Sequence, residues 1–417
     1  LIERHTLPNG LRIVLEDIPF VRSVSMGIWI GTGSRDERPE QSGVSHLIEH
    51  MFFKGTARMN ARELAEVFDG IGGQVNAYTS KEYTCFHAKV LDEHAQLALD
   101  VLADMLYNSL LDPVELEREK MVVLEEIKMY EDNPEEAVHD LIIEETFANH
   151  PLATNILGTV ASLEGLDREA LLLYIHERYT PDNIVISVCG HIDRSKLLNE
   201  IERLFGKANR TVRNGSVLVP KFIPAQVFRA RPVEQAHVCL GLPGLHYEHP
   251  DSYAMVLLNS ILGSSSSSRL FQEIRENRGM AYSVFSYHSA YRDCGLFAIY
   301  FGANPAQSQA VIDLVEEMIG QWRRDGVTDG ELQRAKDQLK GSLMLSLEST
   351  SSRMSRLGKN ELLLNRQVEL DDMIADIESV TEQEVGALIQ RIFQGDFSFV
   401  AMGPGDHPLR APAVIST

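Results

Sequence analysis

The sequence predicts an α+β fold of two tandem homologous domains, each a mixed or antiparallel β-sheet covered by helices. Three observations lead there. A chain of 417 residues is too long for one hydrophobic core and suggests two domains of about 200 residues each. Segments of alternating apolar residues are interleaved with long runs of helical periodicity. The order of these elements then recurs in the second half, at an offset of about 212 to 217 residues.

Val24–Ile30 reads as a strand, followed by the loop Gly31-Thr32-Gly33 and a helix around His46. Its counterpart is Ala236–Leu242, followed by Pro243-Gly244 and a helix over Ser252–Leu262. A second helix covers Asp112–Glu131, with Asp112 as N-cap, Pro113 at the first helical position and Glu115 closing a capping box. Asn133-Pro134 stops it, and Asp329–Glu348 repeats it. Leu171–Tyr179 pairs with Gly386–Phe393, and each copy closes on a strand, Ile184–Gly190 and Phe397–Gly403. Helices are expected on one face of each sheet. The join is a polar stretch containing Gly and Pro, so the domains are drawn as residues 1–207 and 226–417 with a linker at 208–225.

Composition excludes several functions. Hydrophobic residues make up 44%, ordinary for a globular protein, and no apolar run approaches the about 20 residues that span a bilayer. Leu1–Pro8 lacks a basic stretch leading into an apolar one, so no secretory signal is expected. Cys85, Cys189, Cys239 and Cys294 are scattered without a Cys-x-x-Cys pair, which suits buried thiols in a cytoplasmic protein. The 60 acidic against 39 basic residues give a net charge of −21, so nucleic acid is not an expected partner. If the acids line a substrate chamber, basic peptides are drawn in; otherwise they form a solvated surface.

Ser45-His46-Leu47-Ile48-Glu49-His50-Met51 holds the most informative pattern, His-x-x-Glu-His. At about 100° per residue, His46, Glu49 and His50 fall within roughly 100° of one another, and Val44, Leu47, Ile48 and Met51 lie opposite. One helix thus buries an aliphatic face and aims two imidazoles and a carboxylate the other way. Zinc chemistry needs neutral imidazoles as ligands and a nearby carboxylate to take a proton from water. An ordinary polar helix face would show the same two histidines, so a third ligand is required.

The helix from Asp112 supplies a candidate. Leu116, Val123, Ile127 and Tyr130 form its apolar stripe, with Glu119 and Glu126 inside it and Glu125 outside. A carboxylate on a core-facing stripe needs a cationic partner, either a metal ion or a lysine or arginine. Helical phase therefore selects Glu126 over Glu125 as the third ligand, with Glu119 behind it. Aligning the halves places Leu258, Ile261 and Leu262 opposite His46, Glu49 and His50, so one copy holds the metal and the other does not.

Four motifs in this order resemble the pitrilysin/insulinase family of zinc peptidases, in its short-chain branch that includes the mitochondrial processing peptidase. They are His-x-x-Glu-His; Gly72–Thr79; Glu126, 76 positions beyond His50, with Glu119 seven before it; and Arg275 to Tyr282, an Arg-x6-Tyr pair. The resemblance implies one Zn2+ per chain on His46, His50 and Glu126, with Glu49 as general base and Glu119 supporting the ligands. It implies strand-like binding of extended peptides along Val75–Thr79, with Asn76 and Ala77 touching substrate backbone, although Asn76-Ala77 would equally shape a turn. Tyr282 is then a hydrogen-bond donor to the reacting carbonyl and Arg275 a clamp on substrate backbone. Longer relatives carry four such domains, so a homodimer is expected, in which Arg275 and Tyr282 come from either half of the chamber, the partner subunit being the favoured source. The serine-rich stretch Gly263–Arg269 stands where the family has a glycine-rich loop, and reads either as a substrate-contacting loop or as a connector. The competing reading is a non-catalytic partner or scaffold subunit of the same fold. An iron carboxylate bundle would need paired Glu-x-x-His helices, and only one histidine-bearing metal helix is present.

Overall fold

A computed structural model describes residues 2–208, 211, 218–405 and 409–412. It contains two sheets. The first has six strands: β1 (Ile2–Thr6), β2 (Arg12–Asp17), β3 (Ser23–Ile30), β4 (Gln74–Thr79), β5 (Thr84–Leu91) and β6 (Ile184–Gly190), in the order β1-β2-β6-β3-β5-β4. Only β2 and β6 run parallel. The second sheet has β7 (Gln226–Ala230), β8 (Ala236–Pro243), β9 (Ala281–Ala290), β10 (Gly295–Ala303) and β11 (Ser398–Gly403), in the order β7-β11-β8-β10-β9. Here too a single parallel pair, β7 and β11, sits beside antiparallel neighbours. The second order repeats the first strand for strand apart from β1. This matches the two-copy architecture expected from the repeat. Of the predicted linker, residues 209, 210 and 212–217 lie outside those described.

The chain divides into two units that are not its two continuous halves. One comprises Leu1–Lys128, Thr154–Val217 and Met344–Gln367; the other comprises Met129–Ala153, Leu218–Leu343 and Val368–Thr417. Each unit thus takes one helix from the far half of the sequence, and the expectation of helices on one sheet face is corrected. All seven residues of β6 and all nine of β10 are buried, as in strands covered on both faces. In the first unit the second face is covered by helix Thr350–Lys359, whose Met354 and Leu357 pack with Val14, Trp29 and Val185. In the second unit it is covered by helix Pro134–Thr146, through Val138, Leu141 and Ile142 against Cys239, Ala298 and Val400. Asn133, read as a stop, is the N-cap of that second helix and accepts from the Glu135 N–H at 3.2 Å.

Close approach of the Thr350–Lys359 helix requires glycine. A Cβ on Gly358 would lie 2.1 Å from Trp29 Nε1, the nitrogen that donates to Ser187 Oγ at 2.8 Å. Gly358→Ala is therefore expected to destabilise the protein by about 1–3 kcal/mol through overpacking, read as a lower urea midpoint.

Beyond this helix, Glu361 is buried and accepts from Arg4 Nε at 2.7 Å and Arg4 Nη2 at 2.8 Å. Burial pushes its carboxyl up, but hydrogen bonds from Arg4 and Gln367 outweigh that and hold it below its usual value of 4.5. A folded value below the unfolded one makes this contribution complete above about pH 4.5 and lost as pH falls through the folded value. Glu361→Gln is expected to be less stable than wild type at pH 7 and to lose less further stability between about pH 5 and 3, as urea melts across that range will show. No helix among the described residues is long and apolar enough to cross a membrane.

Candidate metal centre

The motif helix runs Val44–Phe52 in the first unit. Val44, Leu47, Ile48, Met51 and Phe52 are buried, and His46, Glu49 and His50 occupy the opposite face, as the helical phase predicts. Its start is built for position. Gly43 adopts φ +90°, and a Cβ there would lie 2.6 Å from the Leu157 carbonyl oxygen. The Glu37 carboxyl oxygens accept from the Gly43 and Ser45 N–H groups, each at 2.8 Å, and burial pushes that carboxyl up to about 8 against these bonds. Ser45 Oγ lies 2.9 Å from Tyr174 OH, which lies 3.1 Å from Thr32 Oγ1. Glu37 went unrecognised in the sequence because a cap seven residues outside the helix follows no local capping pattern.

The second helix spans Pro113–Asp132, one residue from the expected bounds, and Asp112 Oδ1 accepts from Val114 N–H and Glu115 N–H at 2.9 and 3.1 Å. Leu116, Glu119, Val123 and Ile127 are buried on it. Tyr130, counted in the apolar stripe, is instead exposed, and Lys120 is buried. The glutamates follow the helical phase: Glu125 pairs outward with Lys128 at 2.6 Å, and Glu126 turns towards His46 and His50.

Glu126 Oε2 lies 3.8 Å from His46 Nε2 and 3.7 Å from His50 Nε2. One ligand atom from each of the three residues lies within 4.8 Å of the others, the one such group among the described residues. A tetrahedral zinc with bonds of about 2.0–2.1 Å separates its ligand atoms by roughly 3.3 Å, so the donors are slightly wider than a loaded site and of the right kind. Burial, and then the neighbouring His50, pushes His46 down to about 4, which keeps it neutral as a ligand must be.

Glu119 is buried, and its Oε2 lies 3.0 Å from His50 Nδ1 while Oε1 meets Lys54 Nζ at 2.7 Å. Of the partners anticipated for a buried glutamate, the lysine is the one present, and His50 is a second partner. With its Nδ1–H given to Glu119, His50 has Nε2 free to ligate. His46 Nδ1 is buried without a hydrogen-bond partner, so packing alone orients that ring. Lys54 had no signal in the sequence beyond lying one turn past His50.

Glu49 is half-buried, and Thr79 Oγ1 donates to its Oε2 at 2.6 Å. Burial raises the Glu49 carboxyl; Thr79 and His50 oppose that, and Glu126 adds to it. Thr79 ends β4, one of the two edge strands of its sheet, which among the described residues pairs only with β5. On the same strand Asn76 is exposed, and Ala77 is buried with its side chain in the core. Ala77 therefore presents backbone rather than side chain, and its N–H donates to its neighbour's Asn76 Oδ1 at 2.8 Å.

Arg275 and Tyr282 belong to the second unit, on the helical turn Phe271–Asn277 and at the start of β9. The Arg275 guanidinium carbon lies 4.7 Å from the ring centres of both Phe271 and Tyr282. Tyr282 is 77% exposed. In this unit Leu258, Ile261 and Leu262 are buried in the core, so the helix opposite the motif helix is a packing element. Gly263 and Ser264 of the serine-rich stretch close a helical turn, Ser260–Ser264, and residues 265–268 form the turn that follows it.

Residues 12–160 match the family insulinase (peptidase family M16), and residues 165–339 match the peptidase M16 inactive domain. The chain is 51% identical over 404 residues to an uncharacterized zinc protease of Bacillus subtilis strain 168, covering 97% of this chain and 98% of that one. It is 40% identical over 411 residues to an uncharacterized zinc protease of Streptomyces coelicolor, covering 97% and 90%. Among solved structures, a peptidase M16 inactive domain from Pseudomonas fluorescens superposes with a TM-score of 0.91 at 20% identity, covering 99% of this chain and 100% of that one. A protease from Helicobacter pylori superposes at 0.87 and 22% identity, covering 97% and 99%. With three ligand atoms converging on one helix pair in the first copy, a second copy that buries leucines instead, and these relatives along nearly its full length, the chain belongs to the insulinase family of zinc peptidases, peptidase family M16.

Proposed function

We propose that this protein is a zinc-dependent endopeptidase that cleaves extended or unfolded peptides within a closed chamber. His46, His50 and Glu126 bind one zinc ion per chain, and Glu49 is the general base. The convergence of those three ligand atoms within 4.8 Å, beside a carboxylate on the same helix, carries this reading. When bound, the ion lowers the pKa of a coordinated water and polarises the scissile carbonyl. Glu49 takes the proton and returns it to the leaving amine. Glu119 holds the His50 ring, with Lys54 balancing its charge. Substrate adds as a strand to the open side of β4, reading main chain at Asn76 and Ala77, which permits broad sequence tolerance. Arg275 and Tyr282 bind substrate backbone and the developing oxyanion, supplied by the second subunit of a homodimer. The exposure of Tyr282 and the guanidinium on its ring support a pre-arranged pair. An excess of acidic groups favours basic peptides. The four free cysteines suit a reducing cytoplasm.

The test is hydrolysis of a quenched, unstructured peptide by protein stripped with chelator and then reloaded. Activity is expected to vanish on stripping and return as zinc reaches about one per chain. Zinc binding at that ratio with no cleavage would replace the peptidase by a non-catalytic partner subunit.

A further inference from the structure

We infer that Thr79 is the positioning residue for the general base: its hydroxyl locks the Glu49 carboxylate to the end of the strand on which substrate is laid. This rests on the peptidase reading above. Glu49 lies on the motif helix and Thr79 on β4, thirty positions apart, and the 2.6 Å bond between Thr79 Oγ1 and Glu49 Oε2 joins the two elements directly. The hydroxyl has one proton to donate and gives it to Oε2, which leaves Oε1 to take a proton from water.

The support beneath Thr79 is unusually well braced. Its β-branched side chain has few rotamers in a strand, so the hydroxyl direction follows the backbone. That backbone pairs with Thr84, whose Oγ1 donates to the Thr32 carbonyl at 3.0 Å. The next four residues form the turn into β5, where Ser80 N–H donates to the Tyr83 carbonyl at 2.8 Å and Ser80 Oγ donates to it at 2.9 Å. Ser34 N–H and Arg35 N–H donate to the Ser80 and Lys81 carbonyls at 3.2 and 2.8 Å. A Cβ on Gly33 would lie 2.2 Å from the Ser80 carbonyl oxygen, so this second loop presses on the turn without a gap. Arg35 and Glu82 close the same junction with an ion pair at 2.7 Å in which both side chains are buried.

All of these groups belong to β4, the start of β5, the turn between them and the loop over residues 32–35. Together they fix the height and direction of a single hydroxyl, and that hydroxyl meets the carboxylate expected to move the proton. Base and substrate strand thereby share one rigid frame, which keeps their separation constant as peptides of different sequence are laid on β4. A base displaced by about 1 Å costs on the order of 100-fold in rate, so the frame affects turnover more than binding.

The experiment compares zinc-loaded wild type, Thr79→Val and Thr79→Ser on the same quenched peptide, with zinc content and a crystal structure of each. Thr79→Val keeps the shape and removes the donor, and is expected to lower kcat by about 10- to 100-fold with KM within about twofold and zinc unchanged. Its crystal structure should show the Glu49 carboxylate turned away from β4. Thr79→Ser keeps the donor and is expected to retain kcat within about threefold. Equal losses in both variants, a rise in KM alone, or an unmoved Glu49 in Thr79→Val would overturn the inference. An inactive zinc-loaded wild type would instead overturn the peptidase reading, and the position of Glu49 in the valine variant would still decide the role of Thr79.

Discussion

Glu49→Gln is expected to lower kcat/KM for peptide hydrolysis by about 10²- to 10⁴-fold, the usual contribution of a positioned general acid–base. Glutamine has nearly the same shape, and its amide oxygen can still accept from Thr79, so helix packing and zinc content should match wild type. The informative pattern is therefore loss of turnover with metal retained, measured by quenched-peptide kinetics beside elemental analysis. A glutamine variant that cleaves within about threefold of wild type would remove Glu49 from the mechanism.

The second large effect concerns adjacent glutamates. Glu126→Ala removes one of three donors from the cluster at 3.7–3.8 Å, and is expected to lower zinc affinity by more than the about 10- to 100-fold that loss of an outer partner costs. Activity at limiting zinc should fall with it. Glu125→Ala, one position away, removes an exposed side chain paired only with Lys128 and should change affinity by less than about twofold. Chelator competition on both variants separates a ligand from a neighbour. Equal affinities would mean that the helix presents a different face to the histidines than the one seen here.

These predictions lean on different layers of information. The turn-by-turn phase of the motif helix, the Asp112 start of the second helix and the selection of Glu126 over Glu125 were legible in the sequence, because each follows from residues within a few positions on one regular element. The repeat was legible for the same reason, since two copies print the same local patterns twice, and the loss of His46, Glu49 and His50 from the second copy could be read by alignment alone. Tyr130 was misjudged because an apolar stripe says which side of a helix is greasy, not how far along its length the core extends.

Contacts between distant positions stayed hidden. Nothing local distinguishes Thr79 from other strand threonines, Glu37 from other loop acids, or Lys54 from other surface lysines. Each is selected by what another element, tens of residues away, brings next to it. The exchanged helices are the largest such case. Val138, Leu141 and Ile142 announce an apolar face, and Met354 and Leu357 announce another, but periodicity cannot say which sheet each one covers. That choice is made by fit at close range: Gly358 lies against Trp29, and the Ile142 side chain reaches within 2.8 Å of where a Cβ on Gly241 would stand. Short-range pattern therefore sufficed for the helix face that carries His46, Glu49 and His50 and for the two-copy plan. The partners of Glu49, of His50 and of both sheets emerged only once long stretches of chain had been folded against one another, because complementarity of shape and charge has no sequence period.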